Sequence, residues 1–220
     1  MTRFVCTAIV VLAVTVCSAV AAEAQTAARL PADGPWYAEF AAAATLGHRS
    51  SSSVGGEGGY RLTKDFDVFF EGGHIRTVGT ADLDARAQLV AGAIGATANA
   101  SYHVSYFDAG VRYHIKQITR VHSYVAVGLG AAHVRADTGL GVNGVTVSPD
   151  SLGVQFGSDL SGAETKFYLM LGGGATWDFK KRYFVDASYR YGRIAPKTSA
   201  IEGDQPINTQ RVQIGIGLRF

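Results

Sequence analysis

Residues 211–220 alternate without a break. Val212, Ile214, Ile216, Leu218 and Phe220 fall on one side, and Arg211, Gln213, Gly215, Gly217 and Arg219 on the other. Successive side chains of a strand point to opposite faces, so this segment has one apolar side and one wet side. The pattern recurs through the chain. Residues 182–191 set Tyr183, Val185, Ala187, Tyr189 and Tyr191 against Arg182, Asp186 and Arg190, and residues 166–177 set Phe167, Leu169, Leu171 and Trp177 against Lys166 and Thr176. Five earlier segments, 35–47, 54–62, 67–77, 102–115 and 123–131, behave alike. Helical periodicity is scarce, and no apolar run after residue 24 is long enough for a membrane helix. The expectation is an all-β chain: an eight-stranded antiparallel up-and-down transmembrane β-barrel, read from alternating segments of about ten residues.

The connections support this independently. Residues 63–66, 116–119 and 178–181 read as tight turns, whereas 78–101, 135–163 and 194–208 read as long polar links. A membrane barrel has short periplasmic turns and longer external loops, and an even strand count returns both termini to the periplasm. The first external link, 49–53, is short. Residues 139–147 and 152–156 alternate weakly; they are expected to extend the third loop as a hairpin above the membrane, the alternative being a ten-stranded barrel.

The N-terminus is of another kind. Arg3 precedes a largely apolar run over 4–20, and Ala22-Glu23-Ala24 offers a small-residue exit. This is a secretory signal peptide over residues 1–24, leaving Gln25 as the new terminus, with 25–34 a short periplasmic segment and 35–220 the barrel. Cys6 and Cys17 both lie in the leader, so disulfides and cysteine metal sites are not expected in the mature protein. A net charge of +2 gives no field for nucleic acid. With 47% hydrophobic and 17% charged residues, disorder is excluded.

A soluble barrel would turn the apolar face inward, as lipocalins do. The polar face here carries Glu39, Glu57, Arg61, Glu71, Asp108, Arg112, Lys166, Asp186, Arg190, Arg211 and Arg219, a near-balanced set. Three features favour lipid on the apolar side. Trp36, Tyr60, Tyr113, Trp177, Tyr183 and Phe220 gather toward one rim, as an interfacial aromatic girdle does. Gly128, Gly130, Gly172, Gly174, Gly215 and Gly217 lie on the polar face, which suits a narrow, crowded lumen. The chain also stops on Phe220 of an intact strand.

The strand 211–220 resembles the assembly signal of outer-membrane proteins, with its alternating apolar positions and terminal aromatic. The chain beyond Gly34 is similar to the small OmpA-like and OmpX-like outer-membrane β-barrel superfamily, including Gly59-Tyr60-Arg61 and the Tyr-Arg-Tyr-Gly of 189–192. The resemblance implies residence in the bacterial outer membrane among its lipid and lipopolysaccharide. It also implies insertion by the barrel assembly machinery through the strand ending at Phe220, and a monomer. Unlike full-length OmpA-like proteins, the chain is expected to carry no peptidoglycan-binding domain after the barrel. The superfamily shares no catalytic residues.

An eight-stranded barrel is just wide enough for its own side chains, so the lumen charges are expected to plug it and, paired, to lock its register. A narrow pore is the alternative. His103 and Ser105 share a face of one strand near the outer rim, pointing at lipid. A His-x-Ser pair with a nearby acid resembles outer-membrane lipid A deacylases, where imidazole activates serine against an acyl ester. The asparagine-rich continuation of that family is replaced by Tyr106-Phe107-Asp108, and the partner acid is not apparent. His103 and Ser105 are therefore catalytic candidates only under this runner-up reading. His48, His74, His114, His122 and His133 lack metal-ligand spacing, although His114 and His122 flank a turn and could approach each other. The glycines at 55–59 precede no helix and so form no phosphate loop. The leading expectation is a non-enzymatic envelope protein without cofactor or metal, acting in envelope integrity or surface interaction through external loops.

Overall fold

The computed structural model describes residues 34–47, 50–93, 95–118, 120–142, 145–147, 162–180, 182–196 and 206–220. The leader, its exit site and the segment 152–156 lie outside them. The strands are β1 (Trp36–Leu46), β2 (Ser51–Arg61), β3 (Phe66–Val78), β4 (Thr97–Ile118), β5 (Val121–Val142), β6 (Val145–Val147), β7 (Gly162–Asp178), β8 (Tyr183–Ile194) and β9 (Ile207–Arg219). A helix, α1 (Ala81–Gly92), joins β3 to β4.

Neighbouring strands pair antiparallel, and β1 pairs with both β2 and β9, which closes the sheet. The seam is completed by Trp36 N–H donating to the Phe220 carbonyl at 3.2 Å and Phe220 N–H to that of Trp36 at 2.9 Å. β6 stays off the barrel, pairing only with the end of β5 through Leu140–Val147, Gly141–Thr146 and Val142–Val145. Eight strands therefore form the wall, and residues 139–142 and 145–147 pair as the protruding hairpin that alternation indicates.

The stagger follows from the register. The paired row starting at Tyr60 runs through Val68, Val111, Val127, Leu171, Tyr191 and Gln210 to Leu46. Tyr60's own partner on β1 is Trp36, ten residues from Leu46. Ten residues of stagger over eight strands tilt the wall by about 40° from the axis.

Four sequence expectations are corrected. The link 78–101 is not a simple polar loop: it holds α1 and the first residues of β4. Ala87 and Ala91 of α1 pack on Ala98, Ala100 and Leu140, and Gln88 donates to the Ala98 carbonyl at 2.6 Å. β5 runs on to Val142 and β7 begins at Gly162, so the third loop is shorter at both ends than 135–163. β2 begins at Ser51, inside the expected 49–53 link. β4 reaches Ile118, so the turn expected at 116–119 is tighter. The turn at 63–66 forms as expected: the Thr63 hydroxyl accepts from the backbone N–H of Asp65 and Phe66 at 3.3 and 3.1 Å, the local bonding that favours threonine in turns.

Candidate functional site

Alternation around a closed, tilted wall sends one set of side chains into the lumen. Glu57 is its hub: it accepts hydrogen bonds from the Tyr37 hydroxyl at 2.6 Å, from Arg112, and from Arg190 at 2.9 Å. Glu71 accepts from the Tyr106 hydroxyl at 2.8 Å and from Arg211 at 3.1 Å, with Arg190 at 3.8 Å. Arg211 also donates to the Tyr106 hydroxyl and, at 3.2 Å, to that of Tyr168. Arg112 lies 4.0 Å from the Tyr124 ring centroid and Arg211 4.3 Å from that of Tyr106. Arg190 and Arg211 are 0% and 1% exposed, so these cations depend wholly on their partners. Bidentate guanidinium geometry and ring stacking explain why arginine holds all three central positions.

Inward glycines make room for the network. A side chain at Gly215 would overlap the Glu39 carboxylate, one at Gly172 the Arg190 stem, and one at Gly217 the Phe184 ring. A small cavity remains beside Glu39, Glu71, Tyr106 and Arg211. Toward the periplasmic rim, Asp67 sits between Arg61 (3.1 Å) and His114 (2.7 Å), and Asp178 between Arg219 and His122, the latter at 3.0 Å. His114 and His122 thus go to separate carboxylates instead of approaching each other.

Outside, the order reverses. Phe40, Phe107, Val127, Leu171, Ile214 and Ile216 are among the large apolar side chains left exposed. An apolar exterior around a buried charged interior suits lipid and would be untenable in water. The expected girdle is present: Trp36 meets Tyr60 edge-on at 4.7 Å, Phe66 meets Tyr113 at 5.0 Å, and Phe179 bridges Trp177 and Tyr183.

His103 and Ser105 lie on the outer face of β4, as read from the sequence, but each has found another partner. Ser105 Oγ is 3.0 Å from His74 Nδ1 on β3. His103 Nε2 is 3.4 Å from Asp137 on β5, the acid that the sequence left unidentified. Ser105 also faces His133 across the β4–β5 pairing, and His133 Nδ1 is 3.2 Å from Thr165 Oγ1. Sequence reasoning missed His74 and His133 because neither has a local motif; only the register of β3, β4, β5 and β7 lines them up. Among the described residues, no group of three or more His, Cys, Asp or Glu is placed to hold a metal ion.

Known proteins agree with this architecture. Neisserial surface protein A shares the fold with a TM-score of 0.53 and 15% identity, over 84% of this chain and 96% of that one. A major outer membrane protein of Thermus thermophilus gives 0.52 and 10%, over 84% and 98%. The attachment invasion locus protein of Yersinia pestis gives 0.44 and 14%, over 84% and 97%. For the first two, the likeness at these identities is one of fold alone. Among curated proteins, none matches in sequence. The model of the outer membrane protein beta-barrel domain, however, matches residues 9–220. The closed β-barrel wall agrees with that match, and the chain belongs to the outer membrane protein β-barrel domain family of the bacterial outer membrane.

Proposed function

We propose that this is a non-enzymatic, monomeric outer-membrane protein that supports envelope integrity and meets its surroundings through its outer surface and external loops. The observation that carries this is the filled lumen. Tyr37, Glu57, Arg112, Arg190, Glu71 and Arg211 join across it, and the cavity left beside Glu39 is small. A plugged barrel offers neither a solute path nor an interior substrate pocket, so activity moves to the exterior. The same proposal has the strand ending at Phe220 present the unfolded chain to the assembly machinery.

Purified protein in planar bilayers is expected to give no conductance steps, and cells lacking it are expected to admit bulky antibiotics more readily. Regular conductance steps from the wild type would replace this reading with that of a pore. A second reading, an outer-leaflet acyl hydrolase, has one observation in its favour, the 3.0 Å contact of Ser105 with His74. Against it, Asp137 sits on His103 rather than His74, and at Ser105 β4 is paired on both edges, with His74 and His133, which commits the local backbone N–H groups to the sheet instead of an oxyanion. Mass spectrometry of outer-membrane lipids from wild-type, His103→Ala and Ser105→Ala cells separates the two. Identical acyl patterns are expected; an acyl loss abolished by either variant would establish the hydrolase.

A further inference from the structure

On the side of the barrel formed by β3, β4, β5 and β7, the outward side chains change character abruptly. One transverse row reads Gly72, Phe107, Ala131, Phe167 and is apolar. The next row outward reads His74, Ser105, His133, Thr165. Beyond it His103 pairs with Arg135, and Arg76 lies alongside on β3, in the irregularity between Ile75 and Val78.

The level of this change can be placed. At about 40° tilt and 3.3 Å per residue, each residue climbs about 2.5 Å along the membrane normal. Arg76 is ten residues beyond Phe66, the first residue of β3, hence about 25 Å above the periplasmic edge. His133 and Arg135 are 12 and 14 residues beyond Val121, at about 30 and 35 Å. Ser105 and His103 are eight and ten residues from Tyr113, the β4 partner of Phe66, at about 20 and 25 Å above that pair. The apolar band of such barrels is about 25 Å tall. The polar rows therefore start where acyl chains give way to the headgroups of the outer leaflet.

The groups at this level suit a phosphate. Arg76 and Arg135 bring fixed positive charge, and guanidinium matches phosphate oxygens in geometry. Asp137 lies 3.4 Å from His103 Nε2 and 3.6 Å from Arg135 Nε, holding the two side by side across the strand pair. Ser105 and His133 add hydroxyl and imidazole groups. Just below, Phe70 and Phe107 stack at 6.3 Å with their planes 17° apart, and both are 57% exposed. They form a flat platform of the kind an acyl chain covers. On the far side, counted from Tyr183, the cation Arg193 stands at about 25 Å, with the uncharged pairs Tyr191–Asn208 and Tyr189–Gln210 below it at about 20 and 15 Å.

We propose that this side is a binding site for a phosphorylated glycolipid of the outer leaflet, with Arg76 and Arg135 on its phosphate, His103 and Ser105 beside it, and Phe70 and Phe107 under its first acyl chain. This deepens the envelope function proposed above and rests on it: the site ties the barrel to the lipid that seals the outer leaflet.

The test places the full mature chain in phosphatidylcholine nanodiscs doped with one of three probes: phosphorylated lipid A, lipid A stripped of its phosphates, or phosphatidylglycerol. Lipid retained on the protein after mild detergent extraction is counted by mass spectrometry. Phosphorylated lipid A is expected to be enriched over the other two probes. The double variant Arg76→Gln, Arg135→Gln is expected to retain about tenfold less of it. Both arginines lie outside the lumen network, so the variant folds, which the heat-dependent shift of its electrophoretic mobility verifies. As a control, Arg193→Gln on the far side is expected to bind as wild type. Equal retention by the double variant overturns the site, as does equal enrichment of phosphatidylglycerol, which would reveal only a generic anionic belt. Either result leaves the plugged, integrity-supporting barrel standing, because that reading is tested by conductance and antibiotic entry.

Discussion

Glu57 and Asp108 are both buried lumen carboxylates, yet their surroundings differ in a way that can be measured. Glu57 accepts from Tyr37, Arg112 and Arg190. Asp108 is 0% exposed, and neither of its carboxylate oxygens has a hydrogen-bond partner among the described residues. Removing one member of a satisfied buried ion cluster leaves its partners charged and unpaired, at a cost of about 3–5 kcal/mol. Neutralising a carboxylate that has no such partners removes a desolvation penalty instead. Glu57→Gln is therefore expected to lower unfolding stability in urea-treated lipid vesicles by about 3–5 kcal/mol, while Asp108→Asn is expected to leave it unchanged or raise it. Equal losses in both variants would mean that Asp108 belongs to the network. A complementary argument concerns space. A Cβ at Gly130 would overlap the Phe107 carbonyl and the Asp108 backbone, which cannot swing away as a side chain can. Gly130→Ala is expected to cost about 1–3 kcal/mol in the same assay, as overpacking does.

The elements differ in how plainly the sequence announced them, and each difference has a physical cause. The eight wall strands were legible because each separates lipid from lumen and so must alternate over its membrane-crossing length. The sixth short strand was legible as part of a hairpin for the same period-two reason. The helix α1 was not, because its buried face is made of Ala87 and Ala91, set against Ala98, Ala100 and Leu140. Alanine on alanine leaves little polarity contrast for a period of 3.6 to show. The outer end of β4, and the stretch of β5 that joins the wall to the hairpin, escaped notice because they stand above the membrane, where no lipid enforces an apolar outward face. The lumen charges were legible as a set, but their partners were not: Arg211 of β9 meets Tyr106 of β4 across the barrel, a match fixed by stagger. His103 and Ser105 were legible as a shared face, whereas Asp137 and His74 come from strands on either side. The alanine seam carries its own prediction. Ala91→Leu is expected to lift α1 from β4 and open the 79–96 link to protease. The barrel should remain intact, since α1 contributes nothing to the closed wall. Limited proteolysis followed by mass spectrometry reads this directly, and cleavage spreading into β3 or β5 would show α1 to be part of the barrel's stability.

For the molecule as a whole, what decides stability is the solvent on each side of the wall. Val127 is six residues beyond Val121 and points outward, which puts it about 15 Å above the periplasmic edge, near the middle of the apolar band. Thr165 also points outward but is 13 residues from Asp178, at about 33 Å, beyond that band. Val127 is paired on both edges, with Val111 and Leu171, and Thr165 on one edge, with His133. Both point outward from regular strand, and depth is the main difference between them. An arginine at the bilayer midplane of a barrel costs about 2–4 kcal/mol, falling to about 0–1 near the interface. Val127→Arg is accordingly expected to lose about 2–4 kcal/mol in lipid vesicles, and Thr165→Arg no more than about 1 kcal/mol. If the wall were tilted less than its stagger of ten implies, each residue would climb further and Val127 would move toward the upper boundary, which would shrink the difference. A barrel exposed to water would show no depth dependence at all. The pair of variants therefore measures the tilt, the height of the apolar band and the side on which lipid lies, using the two substitutions against each other.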